Sequence, residues 1–182
     1  CTSRRPMIEP RVVTGALGGS PLSRAVQAGR LDASIVSARP AGADAWRARA
    51  MEVSRSAADG WFAALRDALG GEGIAVERLA RVAGAGGVVV TTGQQPGLFG
   101  GPVYTWSKAV GALALAEAIE RQTGVPTAPV FWAATDDADY AEANHTAIVE
   151  AGAVRVLATT VVPPAGTPMA QTSLGPVAPL LG

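Results

Sequence analysis

Two short stretches carry the residues able to do chemistry. The first, TTGQQPGLFGGPVYTWSK at 91–108, sets Gly93, Gly97, Gly100 and Gly101 around Gln94 and Gln95, then runs on to Tyr104 and Lys108. Glycine admits positive φ and lets backbone N–H groups approach a ligand closely. The glutamines add neutral donors and acceptors suited to sugar hydroxyls or amides. The second stretch, TDDADYAEANH at 135–145, gathers Asp136, Asp137, Asp139 and Glu142 ahead of His145, the single histidine. Carboxylates so placed can hold a substrate amine, act as a general base or bind a divalent ion. Plainer readings stand beside these: a tight turn that needs glycine, aspartates that cap a helix, and Trp132 as a core residue instead of an aromatic wall for a sugar or base. The spacing G-x-x-x-G-x-x-G-G fits neither G-x-G-x-x-G nor G-x-x-x-x-G-K-[ST], so phosphate binding has no pattern to support it. A lone histidine is poor support for a metal site, and no metal is assigned.

Such loops need elements to hold them. GVVVTT, before the first loop, is a β-branched run of the kind found in strands buried on both faces. Residues 102–123 read as a helix with Pro102 in its first turn, ended by Gly124 and Pro126. APVFWAA at 128–134 is a second strand. Strand, helix, strand makes a βαβ unit with parallel strands and a right-handed crossover. Both loops then fall at the carboxyl ends of neighbouring strands and face each other across a crevice, where open parallel sheets bind ligands. The helix N-terminus near Pro102–Tyr104 favours an anion, and Lys108, roughly one and a half turns in, can reach back toward it.

From 145, HTAIVEAGAVRVLATTVV breaks the βαβ rhythm and reads as an antiparallel hairpin. Upstream, 44–69 reads as one helix with Asp44 as N-cap and an apolar stripe of Val53, Ala57, Trp61, Leu65 and Leu69. Trp46 and Trp61 are packing residues of this helix. Shorter helices are expected at 75–82 and in PLSRAVQAG, within an irregular arm over 1–43. The fold class is α/β, with a partial Rossmann-like parallel sheet core, an N-terminal helical arm and the start of an inserted β-rich subdomain. The expected boundaries are 1–87, 88–144 and 145–182.

Composition narrows the function classes. The 182 residues have zero formal charge. Residues 1–81 carry 12 Arg against 8 acids, and the remainder 3 basic residues against 7 acids. That asymmetry is too slight for a nucleic-acid footprint, which needs a clustered basic face. Lys108 is the only lysine among 15 basic residues. One cysteine excludes an internal disulfide framework and a Cys-based zinc site. No run approaches the roughly 20 apolar residues of a membrane span, and a cytoplasmic protein is expected. Cys1 at the start and a Pro/Gly-rich stop at Gly182 suggest a piece of a longer protein. With part of its sheet missing, the piece is expected to aggregate.

At this point the motifs resemble a known family. VVVTTGQQPGLFGGPVYTWSKA is similar to the T-G-Q-Q-x-G-L-F-x-G-P-x-Y-T-x-x-K block of the bacillithiol biosynthesis cysteine-adding enzymes, the BshC family. PVFWAATDDADYAEANH resembles that family's second block, P-V-F-W-x-A-x-E-D-H-D-F-x-E-x-N-H, at a matching distance. The resemblance implies a ligase-like enzyme that joins cysteine through its carboxyl to the amine of glucosaminyl-malate. It also implies a nucleotidyltransferase-like Rossmann core with connective-peptide insertions, and a C-terminal coiled coil that makes a homodimer. Thr92, Gly93, Gln94, Gln95, Gly97, Leu98, Phe99, Gly101, Pro102, Tyr104 and Lys108 carry the first block. Trp132, Asp137, Asp139, Asn144 and His145 carry the second, with Asp136 in place of Glu. Thr92, Gly93, Gln94, Gln95, Gly97, Gly100, Gly101, Tyr104, Lys108, Trp132, Asp136, Asn144 and His145 are the expected substrate-binding residues; Asp137 and Asp139 are the candidates for general base. Ala138 departs from the family, which has histidine there. The cofactor is left open: ATP suits a ligation, yet the turn lacks the H-x-G-H that nucleotidyltransferases use on its phosphates. Two rivals remain, another nucleotidyltransferase or amide-forming ligase on this fold, and a non-catalytic small-molecule-binding homologue.

Overall fold

A computed structural model describes residues 13, 15, 18–37, 39–70 and 72–180. The chain divides into two units, 1–40 and 41–182. In the first, helix α1 spans Pro21–Gln27. Ser20 caps it by accepting the backbone N–H of Ser23 at 3.1 Å, and proline occupies the first turn, where its missing N–H costs nothing. This matches the expected short helix; residues 1–12 of the expected arm lie outside the described residues.

The second unit is built on a βαβ unit. Strand β1 (Val88–Gln94) and strand β2 (Thr127–Ala133) pair in parallel, Val88 opposite Thr127 through Gln94 opposite Ala133. Helix α5, Val103–Thr123, connects them, here numbered after α2 (Gly42–Ser56), α3 (Trp61–Arg66) and α4 (Ile74–Gly84). Gly124, at φ 72°, ends α5 and donates its N–H to Glu120 O, as a left-handed glycine cap should. The core gathers Leu79 and Val82 of α4 with Ala128 of β2; Trp61, Phe62, Leu65, Leu69, Val89 and Val130 pack against it. Side chains of opposite parity on β1, Val88 and Val90, lie with Leu115 and Ile119 of α5 and Trp46, Ala50 and Val53 of α2. The period-2 alternation of the strand thus meets helices on both sides.

Polar side chains lock the helices to the sheet. Arg78 donates from Nε to Thr127 O at 3.0 Å and pairs with Glu120, which also takes Arg81 at 2.8 Å. Arg47 donates to Thr123 O at the end of α5.

Three expectations are corrected. The helix foreseen over 44–69 is two, α2 and α3, because Ala57–Gly60 forms a turn in which Gly60 sits at φ 73°. An apolar repeat every four residues can continue across a turn that its own glycine breaks. Asp44 does not cap α2: Ala41 holds that position, and Asp44 lies in the first turn, where the helix dipole still favours it. Nor is β1 buried on both faces; only Val88 is fully buried, and Thr91 is exposed, since the described sheet has two strands.

Beyond β2 the chain makes a short helix α6, Tyr140–Ala143. The hairpin of β3 (His145–Glu150) and β4 (Ala153–Ala158) follows, antiparallel as expected. Its turn uses Ala151 and Gly152, both at positive φ, as a tight hairpin turn demands. Among the described residues no helix is long and apolar enough to cross a membrane.

Candidate functional site

Both loops arise where strands of the parallel pair end. β1 runs into Gln94, and close approach to its neighbour explains the glycine before it. A Cβ on Gly93 would lie 2.7 Å from Trp132 O of β2. Past Pro96, residues 98–100 make a single 3₁₀ turn, with Phe99 at φ 52° and Gly100 and Gly101 at 91° and 73°. Gly97 folds against Gly101 so tightly that a Cβ on Gly97 would sit 2.7 Å from the Gly101 Cα. Only glycine fits a backbone that doubles back at this range. The doubled-back loop delivers the chain to Pro102, the N-cap of α5.

The second loop is organised by its own aspartates. Asp139 caps α6, accepting the N–H of Glu142 at 3.2 Å, and Asp137 Oδ1 accepts the N–H of Asp139 at 2.9 Å. The Asp139 N–H is the largest cause that holds the Asp137 carboxyl below its ordinary value of 3.8, and the Gln95 side chain adds to it. Hydrogen bonds to the ionised form favour it. The capping role weighed for these aspartates is therefore real.

Between the loops lies a cleft of about 460 Å³. Gln94, Gln95, Pro96 and Gly97 line it from the first loop; Gly101, Pro102, Val103 and Tyr104 line it from the start of α5. Glu142 of α6 and His145, Thr146 and Ala147 of β3 form the remaining wall. His145 Nδ1 lies 3.0 Å from Asn144 Oδ1. With that oxygen accepting, Nδ1 is the donor of this bond. Lys108 Nζ donates to Gln94 Oε1 at 2.7 Å and to Gly93 O at 3.2 Å, 5.7 Å from the centre of the Tyr104 ring.

Of the residues singled out in the sequence, Gln94, Gln95, Gly97, Gly101, Tyr104 and His145 line the cleft. Lys108 and Asn144 stand behind lining residues and bond to them; Asp137 lies outside the lining and bonds within its own loop. Thr92 and Gly93 belong to β1, Gly100 packs on Trp106, and Asp136 and Asp139 stay on the outer loop. Trp132 lines no cleft wall, and at 56% exposure it is not the core residue of the plainer reading. It lies at the open end of β2, past the helices that cover the start of the strand.

Sequence reasoning passed over three contributors. Glu142, grouped with the aspartates as a carboxylate able to meet an amine, was not named among the binding residues. Thr146 and Ala147 enter because β3 begins directly after Asn144, a signal present in the hairpin pattern. The third is backbone: Met169 N–H donates to Asp137 O and Ala170 N–H to Thr135 O, each at 2.9 Å. Amide contacts from so distant a segment leave no trace in residue types. Among the described residues no cluster of three or more His, Cys, Asp or Glu is placed to hold a metal ion.

Comparison with known proteins converges on one family. A model described as "Bacillithiol biosynthesis BshC, N-terminal Rossmann-like domain" matches residues 50–175. A relative in Heliobacterium modesticaldum, named cysteine ligase BshC, is 42% identical over 95 residues, which are 50% of this chain and 17% of that protein. Its namesake in Geobacillus sp. is 48% identical over 68 residues, 37% of this chain and 12% of the relative. In Bacillus licheniformis the figures are 44% over 79 residues, 43% and 15%. All three names give the activity as provisional. The chain therefore spans less than a fifth of the length of these relatives.

Proposed function

The chain belongs to the bacillithiol biosynthesis BshC family, to its N-terminal Rossmann-like domain, and on that premise we propose that it supplies the substrate cleft of a ligase joining L-cysteine to the amine of glucosaminyl-malate. The observation that carries the reading is the cleft itself. Two loops at neighbouring parallel strand ends enclose it, and these are the two stretches whose sequences follow the family's blocks. Its chemistry suits the partners. Pro102, Val103 and Tyr104 at the start of α5 line the cleft, and the positive dipole end there favours a substrate carboxylate. Gln94 and Gln95 meet sugar hydroxyls, and the acidic loop receives the amine.

Asp137 and Asp139 are the proposed proton acceptors. Asp137 is favoured in its ionised form by its donors, so it is ready to accept a proton and suits an ammonium group as partner. Formation of the amide joins the amine nitrogen to the cysteine carboxyl carbon, with a carboxyl oxygen leaving and the amine giving up a proton; the group that activates the carboxyl is left open. The reaction belongs in the cytoplasm, the complete protein acts as a homodimer, and the 182 residues alone are inactive in this reading.

Mass spectrometry of the complete protein incubated with glucosaminyl-malate and cysteine, with and without ATP, tests it. The mass of the cysteinyl adduct is the expected product, and its dependence on ATP identifies the activation. Binding of glucosaminyl-malate without turnover would instead favour a binding homologue. That second reading rests on Ala138, which stands where the family has histidine. Pyrophosphate exchange with an amino acid other than cysteine would favour a different ligase.

A further inference from the structure

The aspartates of the acidic loop are not in the wall of the cleft; the titratable side chains that line it are Tyr104, Glu142 and His145. His145 is also the single imidazole of the 182 residues, with Ala138 where the family has histidine. Its neighbour is fixed from two sides. Asn144 ends α6, where its N–H donates to Tyr140 O, and its own carbonyl accepts the N–H of Thr159, each at 2.9 Å. The half-buried Asn144 side chain meets the ring at 3.0 Å, Oδ1 to Nδ1. His145 itself opens the hairpin, opposite Ala158 of β4. An amide oxygen accepts a hydrogen bond and cannot donate one. Nδ1 is therefore the nitrogen that carries hydrogen, and in the neutral ring the lone pair is left on Nε2. The elements around the ring bring Glu142 from α6, Tyr104 from α5, the neutral Gln94 and Gln95 from the first loop, and Ala158 from β4. The nearby cation, Lys108, is engaged behind Gln94.

We propose that His145 is a catalytic residue, the first acceptor of the proton that the amine substrate must lose, and that Asn144 is a positioning residue that fixes its tautomer. An N–H bond of the substrate's ammonium group breaks, its electron pair stays on nitrogen, and the proton passes to Nε2. The imidazolium so formed keeps its Nδ1 bond to Asn144. The freed pair on nitrogen is the one that joins the carboxyl carbon. Histidine is the side chain most often used for such a transfer. Glu142, in the same wall, adds the negative charge that draws an ammonium group in and favours the imidazolium. The amine as substrate rests on the function proposed above; the inference moves the first proton acceptor from the loop into the cleft.

Two measurements on the complete protein test this. In steady-state ligation, His145→Gln lowers kcat about a hundredfold or more, the scale of a positioned proton acceptor, with little change in KM for cysteine. Asn144→Ala lowers kcat through the ring, and Asn144→Asp, which keeps an accepting oxygen, restores it. Unchanged kcat in folded His145→Gln leaves the aspartates as acceptors and overturns the proposal. The second measurement is the nitrogen spectrum of protein carrying ¹⁵N-histidine, with His145→Gln used for assignment. The neutral His145 ring is expected as the Nδ1–H tautomer; Asn144→Ala turns it to the Nε2–H form and Asn144→Asp turns it back. A purely structural role for Asn144 would leave the tautomer where it was. A wild-type ring in the Nε2–H form overturns the proposal, whatever the protein's activity. Glucosaminyl-malate added without cysteine should move the Nε2 resonance, and an unmoved resonance overturns the proposal as well. Wild-type protein that makes no adduct refutes the ligase reading by itself, and the Nε2 resonance then decides whether His145 meets the amine.

Discussion

At the residue scale, Asp137 links charge to stability with a definite sign. Its carboxyl is held below 3.8 by the Asp139 N–H and the Gln95 side chain. Its contribution is complete above the unfolded carboxylate value and disappears as pH falls through the lower folded value. Denaturant melts of the complete protein should show a stability difference between wild type and Asp137→Asn that is constant from pH 7 to about pH 5 and shrinks below 3.8. Gly93→Ala acts sterically, since its Cβ would meet Trp132 O at 2.7 Å. Overpacking of this kind costs roughly 1–3 kcal/mol, read as a lower denaturation midpoint. The glycines and glutamines of the cleft were legible because their types are rare together and their position at a strand end follows from the βαβ pattern. What could not be read was which candidates face the cleft. Lys108 lies behind it and Asp137 outside its lining, and that depends on side-chain bonds formed only after both loops are placed.

At the element scale, the parallel pair, its connecting helix and the hairpin were all foreseen, because each carries a period or a glycine stop of its own. The break between α2 and α3 was not. Apolar residues recur every fourth position through Ala57 and Trp61, and the Asp59–Gly60 turn signal lay inside that stripe. Asp139→Ala removes the cap of α6 and should cost about 0.5–2 kcal/mol, visible as faster amide exchange over 140–143. Leu79→Ala opens the cluster shared by α4 and β2, where Leu79 is 4% exposed. A loss of about 2–5 kcal/mol is expected in a denaturant melt, with the cleft loops unchanged in position.

At the scale of the whole molecule, the second unit leaves much apolar surface in water. Phe131 and Trp132 on β2, Val103, Trp106 and Val110 on α5, and Val149, Val154 and Val156 on the hairpin are all exposed. Patches of this extent mark interfaces or aggregation sites. The 182 residues alone should elute from size exclusion as mixed oligomers, and light scattering showing one monodisperse monomer would contradict this. Another feature acts over a long sequence distance: the N–H groups of Met169 and Ala170 support the acidic loop at Asp137 and Thr135. Side chains take no part in those bonds, so mutation can reach them through one amino acid alone. Across a population of such genes, codon 170, whose side chain is exposed, should drift through every residue type except proline, and purifying selection at that position would be visible only as the residue that never occurs.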